Sequence, residues 1–284
     1  MILLSGATGN TGSKAAKHLA AAGVPFRALV RNPDKAGALK KLGAEIVIGD
    51  MGDPHALREA LAGVDRAFLV MPNDEDQLVL ENQFTDAAAA AGVQHLVYLS
   101  SMESVPESTS PITQNHVAAE ERIRASGMKW TMIRPTFFMQ NFEASAPRIK
   151  ATGKIVMPAG NGTVATTDLR DVGEVVAKVL TEPGHENKSY DLTGPDLLTM
   201  AQMAERFSAA LGTKIEYVDQ PMEKFRDLLR SINLAEWRVN AVCKEFEAIA
   251  SGSIDHTTDT LGELLGRPPT SLDQFIADHA DLFR

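Results

Sequence analysis

The run "QNHVAAEERI", residues 114–123, sets His116 four residues before Glu120. On a helix that spacing places both side chains on one face. Such a pair can contribute two ligands to a metal, act as an acid–base couple, or sit buried with satisfied partners. The metal reading lacks further ligands, because neither H-E-x-x-H nor a cysteine cluster occurs. Ile112, His116, Ala119 and Ile123 recur at spacings of four, three and four, which is one apolar helix face. That stripe accounts for an inward His116 without chemistry. A proton-donating or acceptor-orienting role for His116 stands beside the structural one, and Glu120 is expected to favour the protonated imidazole.

A second cluster opens the chain. In "SGATGNTGSKAAKHL", Gly6, Gly9 and Gly12 form G-x-x-G-x-x-G, with Thr8, Asn10 and Thr11 between them. Glycines there permit a tight turn and close backbone approach to a pyrophosphate, and the amides of the following helix favour a phosphate. The first gap is one residue longer than in G-x-G-x-x-G. A P-loop fails, because Ser13 rather than lysine follows Gly12. At the end of the second strand, where an NAD-preferring site offers an acidic residue, this chain offers Arg31 and then Lys35. Two cations suit a 2′-phosphate, so NADP(H) is expected over NAD(H); otherwise they are solvated surface charges. Asp50, after the third strand, suits either the adenine amino group or a helix cap, and Asp53 serves the cap better.

Other residues carry weaker signals. Phe137, Phe138, Met139 and Phe142 make an aromatic–thioether patch that fits either a flat apolar acceptor or packing between lobes. Asn141 is expected to bond backbone where the chain crosses over. Trp237 shares a helix with Val239 and Val242, and reads as core or as a lid over substrate. Cys243 has only Lys244 as a basic neighbour and reads as inert. No G-x-S-x-G supports a serine hydrolase.

The elements that must position these residues follow a βαβ rhythm. Strands are expected at 2–5, 26–31, 45–48, 66–71, 95–100 and 130–133. Helices are expected near 11–22, 33–41, 54–62, 76–91 and 112–125. Continuous apolar runs such as Ala67-Phe68-Leu69-Val70 fit strands covered on both faces. The fold class is therefore α/β: a Rossmann-type doubly wound parallel sheet over residues 1–150, with a smaller, mostly helical lobe over 151–284, partly interleaved with the sheet. In that lobe, strands are expected near 154–157 and 188–192, and helices at 171–181, 200–211, 221–250 and 271–281. Met102 and Glu103 fall at the carboxyl end of strand five, where such folds bind ligands.

Composition narrows the classes. The chain has 284 residues, 44 % apolar and 23 % charged, with a formal charge of −9 and no basic tract. Nucleic-acid binding is not expected. No segment approaches the roughly 20 apolar residues of a membrane span. One cysteine suits a reducing compartment, and a cytoplasmic protein is expected. A homodimer is compatible with all of this.

With these motifs in place, nearly the whole chain resembles the NmrA-like atypical short-chain dehydrogenase/reductases. The resemblance rests on "GATGNTG", "VRNPDKA", "GD" at 49–50, "YLSSM" at 98–102, "HVAAEERIRASGMKWTMIRPTFFMQN" at 116–141 and "DLRDV" at 168–172. It is nearest in pattern to the NADPH:quinone, triphenylmethane-dye and azo-dye reductases. It implies hydride transfer from NADPH to a conjugated small-molecule acceptor. The family also holds NADP(H)-sensing regulators, and its ergot-type members imply an imine or iminium acceptor. The resemblance implies cofactor contacts from Gly6–Gly12, Arg31, Asp50, Met71, Pro72, Ser100, Ser101, Met102 and Pro135, and puts "PTFFMQN" along nicotinamide and substrate. One departure matters. Residues four beyond Tyr98, Tyr190 and Tyr217 are Met102, Gly194 and Pro221, so no Tyr-x-x-x-Lys occurs. Alcohol–ketone chemistry with a tyrosine acid is thereby put in doubt.

Overall fold

The alternation of apolar runs and amphipathic segments folds as a central sheet covered by helices. The computed structural model describes residues 1–284. In chain order the elements begin with β1 (Ile2–Leu4), α1 (Asn10–Ala21), β2 (Phe26–Val30), α2 (Gly37–Lys41), β3 (Glu45–Ile48), α3 (Pro54–Leu61), β4 (Arg66–Leu69), α4 (Gln77–Ala90), β5 (His95–Leu99), α5 (Pro111–Ala125) and β6 (Lys129–Pro135). They continue with α6 (Asn141–Thr152), β7 (Lys154–Met157), β8 (Thr163–Ala165), α7 (Leu169–Thr181), β9 (Lys188–Leu192), β10 (Leu197–Thr199), α8 (Met200–Leu211) and β11 (Glu216–Asp219). The last helices are α9 (Met222–Ser231), α10 (Glu236–Ser251), α11 (Thr260–Leu265), α12 (Leu272–Asp278) and α13 (Ala280–Phe283).

The seven-stranded sheet has the order β3-β2-β1-β4-β5-β6-β9. All pairings from β3 to β6 are parallel. Asn187 donates to the Trp130 carbonyl and Thr136 to that of Leu192, so β9 runs the same way. This is the doubly wound order expected of the βαβ rhythm, with the chain reversing direction of travel between β1 and β4. The face under α3, α4 and α5 is a continuous apolar core that includes Leu61, Phe84, Leu96, Tyr98 and Ile123. Local signals end the helices as expected: Asp53 accepts from the His55 amide at the start of α3, and Gly127 follows α5 with a positive φ.

The chain forms two compact units. The first comprises residues 1–106, 113–134 and 169–191; the second comprises 107–112, 135–168 and 192–284. The expected division at residue 150 is thus corrected, because 150 lies inside α6, and because α7 rejoins the sheet unit. Gly173 of α7 lies so close to α1 that a Cβ there would stand 2.3 Å from that of Lys14. Only glycine lets these two helices approach so closely. The second unit is mostly helical, with two small sheets, β7 beside β11 and β8 beside β10. Its core stacks aromatic edges: Phe142 lies 5.1 Å from Phe207, which lies 5.0 Å from Phe283. No helix is long and apolar enough to cross a membrane.

Candidate active site

The glycine turn is built by close backbone approach. Gly6 has φ +54°, and a Cβ on it would lie 2.6 Å from the Val70 carbonyl oxygen. A Cβ on Gly12 would lie 2.4 Å from the Gly6 carbonyl oxygen. No larger residue fits either position. The Ser5 hydroxyl accepts from the Val70 amide at 2.8 Å and donates to the Val70 carbonyl at 3.0 Å, tying the carboxyl ends of β1 and β4 together. Gly9 caps α1, and no side chain caps it. The first amides of a 12-residue helix are therefore left for an external acceptor. Thr8, Gly9 and Asn10 are exposed beside them, whereas Thr11 is buried. A cradle that only glycine backbone can form, opening on uncapped amides, fits the pyrophosphate of a dinucleotide.

Arg31 and Asp50 follow β2 and β3 on the same carboxyl edge. They form a loose pair, Nε to Oδ2 3.8 Å, with side chains 72 % and 50 % exposed. The other Asp50 oxygen accepts from Gly52 at 2.8 Å, so Asp50 turns its own loop, and the helix cap falls to Asp53. Lys35 is exposed one short turn further on. Asn32 is committed to that turn, because its side-chain oxygen accepts from the Asp34 amide. Met71 is half-buried and Pro72 exposed after β4.

His116 and Glu120 share the inner face of α5, as their spacing requires, but they serve different partners. Glu120 accepts from Ser100 Oγ at 2.6 Å, from Arg134 Nε at 2.7 Å and from Arg124 at 2.6 Å, and Arg134 adds a second, short contact. Burial works to raise this carboxyl, yet the hydrogen bonds from Arg134 and Ser100 outweigh it and hold the group below its ordinary range. His116 instead meets Tyr98: its Nδ1 is 2.6 Å from the Tyr98 hydroxyl, which is 2.9 Å from Glu81 Oε2. Gln77 donates to the other Glu81 oxygen at 3.1 Å. Burial dominates this second set. It pushes Glu81 up to about 8 and His116 down to about 4, and lifts Tyr98 well above its usual value. The expectation that Glu120 keeps the imidazole protonated is therefore corrected. Its field acts in that direction, but desolvation of His116 is larger, and two arginines already neutralise the carboxylate.

Other expected site residues divide by burial. Ser100 is buried and its hydroxyl is committed to Glu120, Ser101 donates to Glu103, and Met102 is buried. Pro135 is buried at the end of β6. In the second unit the aromatic patch separates into two pairs. Met139 and Phe142 are core, while Phe137 and Phe138 are half-buried, with Phe137 edge-on to Phe142 at 6.0 Å and to Phe246 at 6.2 Å. Asn141 does not bond backbone through its side chain. It is exposed as the first residue of α6, and only its amide is engaged, donating to Phe138. Trp237 is half-buried at the start of α10, whose inner face is Val239, Cys243 and Phe246.

Two residues of the His116 network escaped the sequence reading, Tyr98 and Glu81. Both left a trace. Gln77, Glu81, Phe84 and Ala88 recur at helical spacing and are all buried, so a carboxylate lies on an apolar stripe. Tyr98 sits in "HLVYL", a strand with no solvent-facing side, where its hydroxyl has to find a partner.

Comparison with known proteins agrees with this architecture. The NmrA-like family model matches residues 1–276. An NAD(P)H azoreductase of Xenophilus azovorans is 35 % identical over 283 residues, covering 100 % of this chain and 99 % of its own. The NADPH-dependent quinone oxidoreductase of Escherichia coli, solved with NADPH, superposes with a TM-score of 0.91 at 29 % identity, covering 99 % of this chain and 100 % of that one. The triphenylmethane reductase of Citrobacter sp., solved with NADP(H), superposes with a TM-score of 0.87 at 29 % identity, covering 98 % and 99 %.

Proposed function

The chain belongs to the NmrA-like family, and from that premise we propose that it is an NADPH-dependent reductase of conjugated small-molecule acceptors such as quinones and dyes. The observation that carries the reading is the glycine cradle, in which a Cβ on Gly6 or Gly12 would strike backbone and the α1 amides have no side-chain cap. When bound, the cofactor supplies the hydride. The chain's own residues bind and orient. The amides from Asn10 to Gly12, with the Thr8, Asn10 and Thr11 side chains, hold the pyrophosphate, while the Gly9 amide closes the turn by donating to the Gly6 carbonyl. Arg31 leaves its loose pair with Asp50 to meet the 2′-phosphate, with Lys35 beside it, which makes NADP(H) the preferred form. Met71, Pro72, Ser100, Ser101, Met102 and Pro135 contribute cofactor contacts, the buried ones through backbone or shape. Half-buried Phe137, Phe138 and Trp237 offer apolar surface to a flat acceptor. His116 is the candidate proton donor. A single buried thiol, Cys243, suits the cytoplasm, and a homodimer is compatible with the reading without being needed by it.

The test is NADPH oxidation measured against a panel of quinones, azo dyes, triphenylmethane dyes, imines and simple ketones. Turnover is expected with quinones and dyes and not with ketones, because no Tyr-x-x-x-Lys is present. Tight NADP(H) binding with no turnover on any acceptor would instead support a redox-sensing regulator.

A further inference from the structure

Two buried glutamates, Glu120 on α5 and Glu81 on α4, are partnered in different ways. Glu120 meets two arginines and a serine hydroxyl. Glu81 meets no cation at all; its partners are the neutral Gln77 and Tyr98. It is 1 % exposed, and the bonds from Gln77 and Tyr98 return only part of the desolvation cost of its charged form. As a packing residue it is expensive. As one end of a chain of protonatable groups it has a use. From Glu81 the hydrogen-bonded path runs 2.9 Å to Tyr98 and 2.6 Å to His116 Nδ1. It also runs outward, since Tyr98 is fully buried and His116 retains 7 % of its surface. At its outer end, His116 Nε2 makes no hydrogen bond and is not among the sealed polar atoms.

We propose that Glu81, Tyr98 and His116 form a proton wire, with Glu81 as its buried reservoir and His116 Nε2 as its delivery point. The proposal rests on the reductase reading and deepens it. Reducing a neutral quinone or azo compound takes one hydride, which carries two electrons, and one proton. The hydride comes from NADPH. In the loaded state the Glu81 carboxylic acid donates to Tyr98, Tyr98 donates to His116 Nδ1, and His116 carries its proton on Nε2. Nε2 gives that proton to the reduced acceptor, Nδ1 takes the Tyr98 proton, and Tyr98 takes the Glu81 proton. Glu81 ends as the carboxylate, and solvent reloads the wire by the reverse path. Tyr98 and Glu81 act through His116 and are positioning residues; His116 alone meets the acceptor.

The surrounding charges favour this loaded state. On α5, Glu120 is the only ionisable group that acts on His116, and Arg134 of β6 and Arg124 hold it as a neutralised carboxylate. On α4, Gln77 orients the reservoir. Burial pushes Glu81 to about 8 and His116 to about 4, so at neutral pH the proton resides on the carboxyl and the imidazole is neutral.

The wire has a signature independent of turnover. When Glu81 loses its proton, Tyr98 turns to donate to the carboxylate, and His116 must then donate from Nδ1. The imidazole changes tautomer without becoming charged. Nitrogen NMR of the protein labelled at histidine should show one ring switching from Nε2–H to Nδ1–H as pH rises, with a midpoint near the Glu81 value of about 8. The switch should vanish in Glu81→Gln and in Tyr98→Phe. A single His116 tautomer from about pH 6 to about pH 10, across the range in which the buried acid titrates, would overturn the wire. A second arm uses chemistry. A triphenylmethane dye is already a cation, and hydride alone neutralises it. Tyr98→Phe should therefore lower the ratio of quinone to dye turnover by roughly tenfold or more, less than the roughly 10²-fold of losing the acid itself because His116 stays in place. An unchanged ratio overturns proton delivery. If wild type reduces no acceptor, the reductase reading fails, and the tautomer switch still decides whether the wire exists.

Discussion

Replacing Glu81 with glutamine should make the protein more stable than wild type, increasingly so as the pH rises. The Glu81 carboxyl lies in the core beneath α4 and α5 and is raised by burial from 4.5 to about 8. Between those values the unfolded chain has released the proton and the folded one still holds it. Stability therefore falls with pH through that window and levels off above about 8, at about 1.4 kcal/mol per pH unit for one proton. Over a window of about 3.5 pH units the cost approaches about 5 kcal/mol. Glutamine keeps the bonds to Gln77 and Tyr98 and has no such window. Urea unfolding in a Trp237→Phe background makes Trp130 the only tryptophan reporter, and Trp130 lies in the unit that holds Glu81. The stability difference between Glu81→Gln and wild type should grow by roughly 3–4 kcal/mol from about pH 5 to about pH 8. A difference that does not change with pH would show that Glu81 is ionised in the fold, and would refute the desolvation argument.

Glu120 should behave in the opposite sense. Glu120→Ala leaves Arg134 half-buried without its carboxylate and should cost roughly 3–5 kcal/mol in denaturant unfolding. Its stabilising contribution is present above the ordinary carboxylate range and is lost as pH falls through its lowered value. Gly12→Ala forces a Cβ to within 2.4 Å of the Gly6 carbonyl, so calorimetry should register at least a tenfold loss of NADPH affinity, about 1.4 kcal/mol or more. Gly37→Ala, with open space around it and φ −56°, should leave affinity unchanged. Arg31→Ala should weaken NADPH by roughly 1–3 kcal/mol more than NADH in the same titration, and equal losses would contradict its assignment to the 2′-phosphate.

Much of the sheet unit was legible because each element carries its own local signal. Asp53 announces α3, Gly23 and Gly127 close helices, and apolar runs such as Ala67–Leu69 mark buried strands. The second unit was harder for physical reasons. β8 and β10 have three residues each, too few to display a period. The helix α6 hid behind an interior Pro147 and a start without a side-chain cap. The glycine cradle was readable because its geometry admits only one residue type. The His116 network was half readable. Spacing alone put His116 and Glu120 on one face, but which partner each chose depended on Arg134 of β6, Tyr98 of β5 and Glu81 of α4. Those neighbours are 14, 18 and 17 residues from the groups they bond, and sheet register brings them together. The stripe suggested a merely structural histidine, and no local pattern could have disclosed the neutral Glu81 behind it.

Transfer of label from the cofactor tests the central claim most directly. NADPH carrying deuterium on the transferring C4 position, mixed with the protein and a triphenylmethane dye, should give a colourless product with one deuterium on the central carbon by mass spectrometry. That result would place hydride transfer from NADPH to the acceptor carbon in this protein. A product without deuterium when the opposite C4 face is also tested, or intact dye beside bound cofactor, would contradict the account.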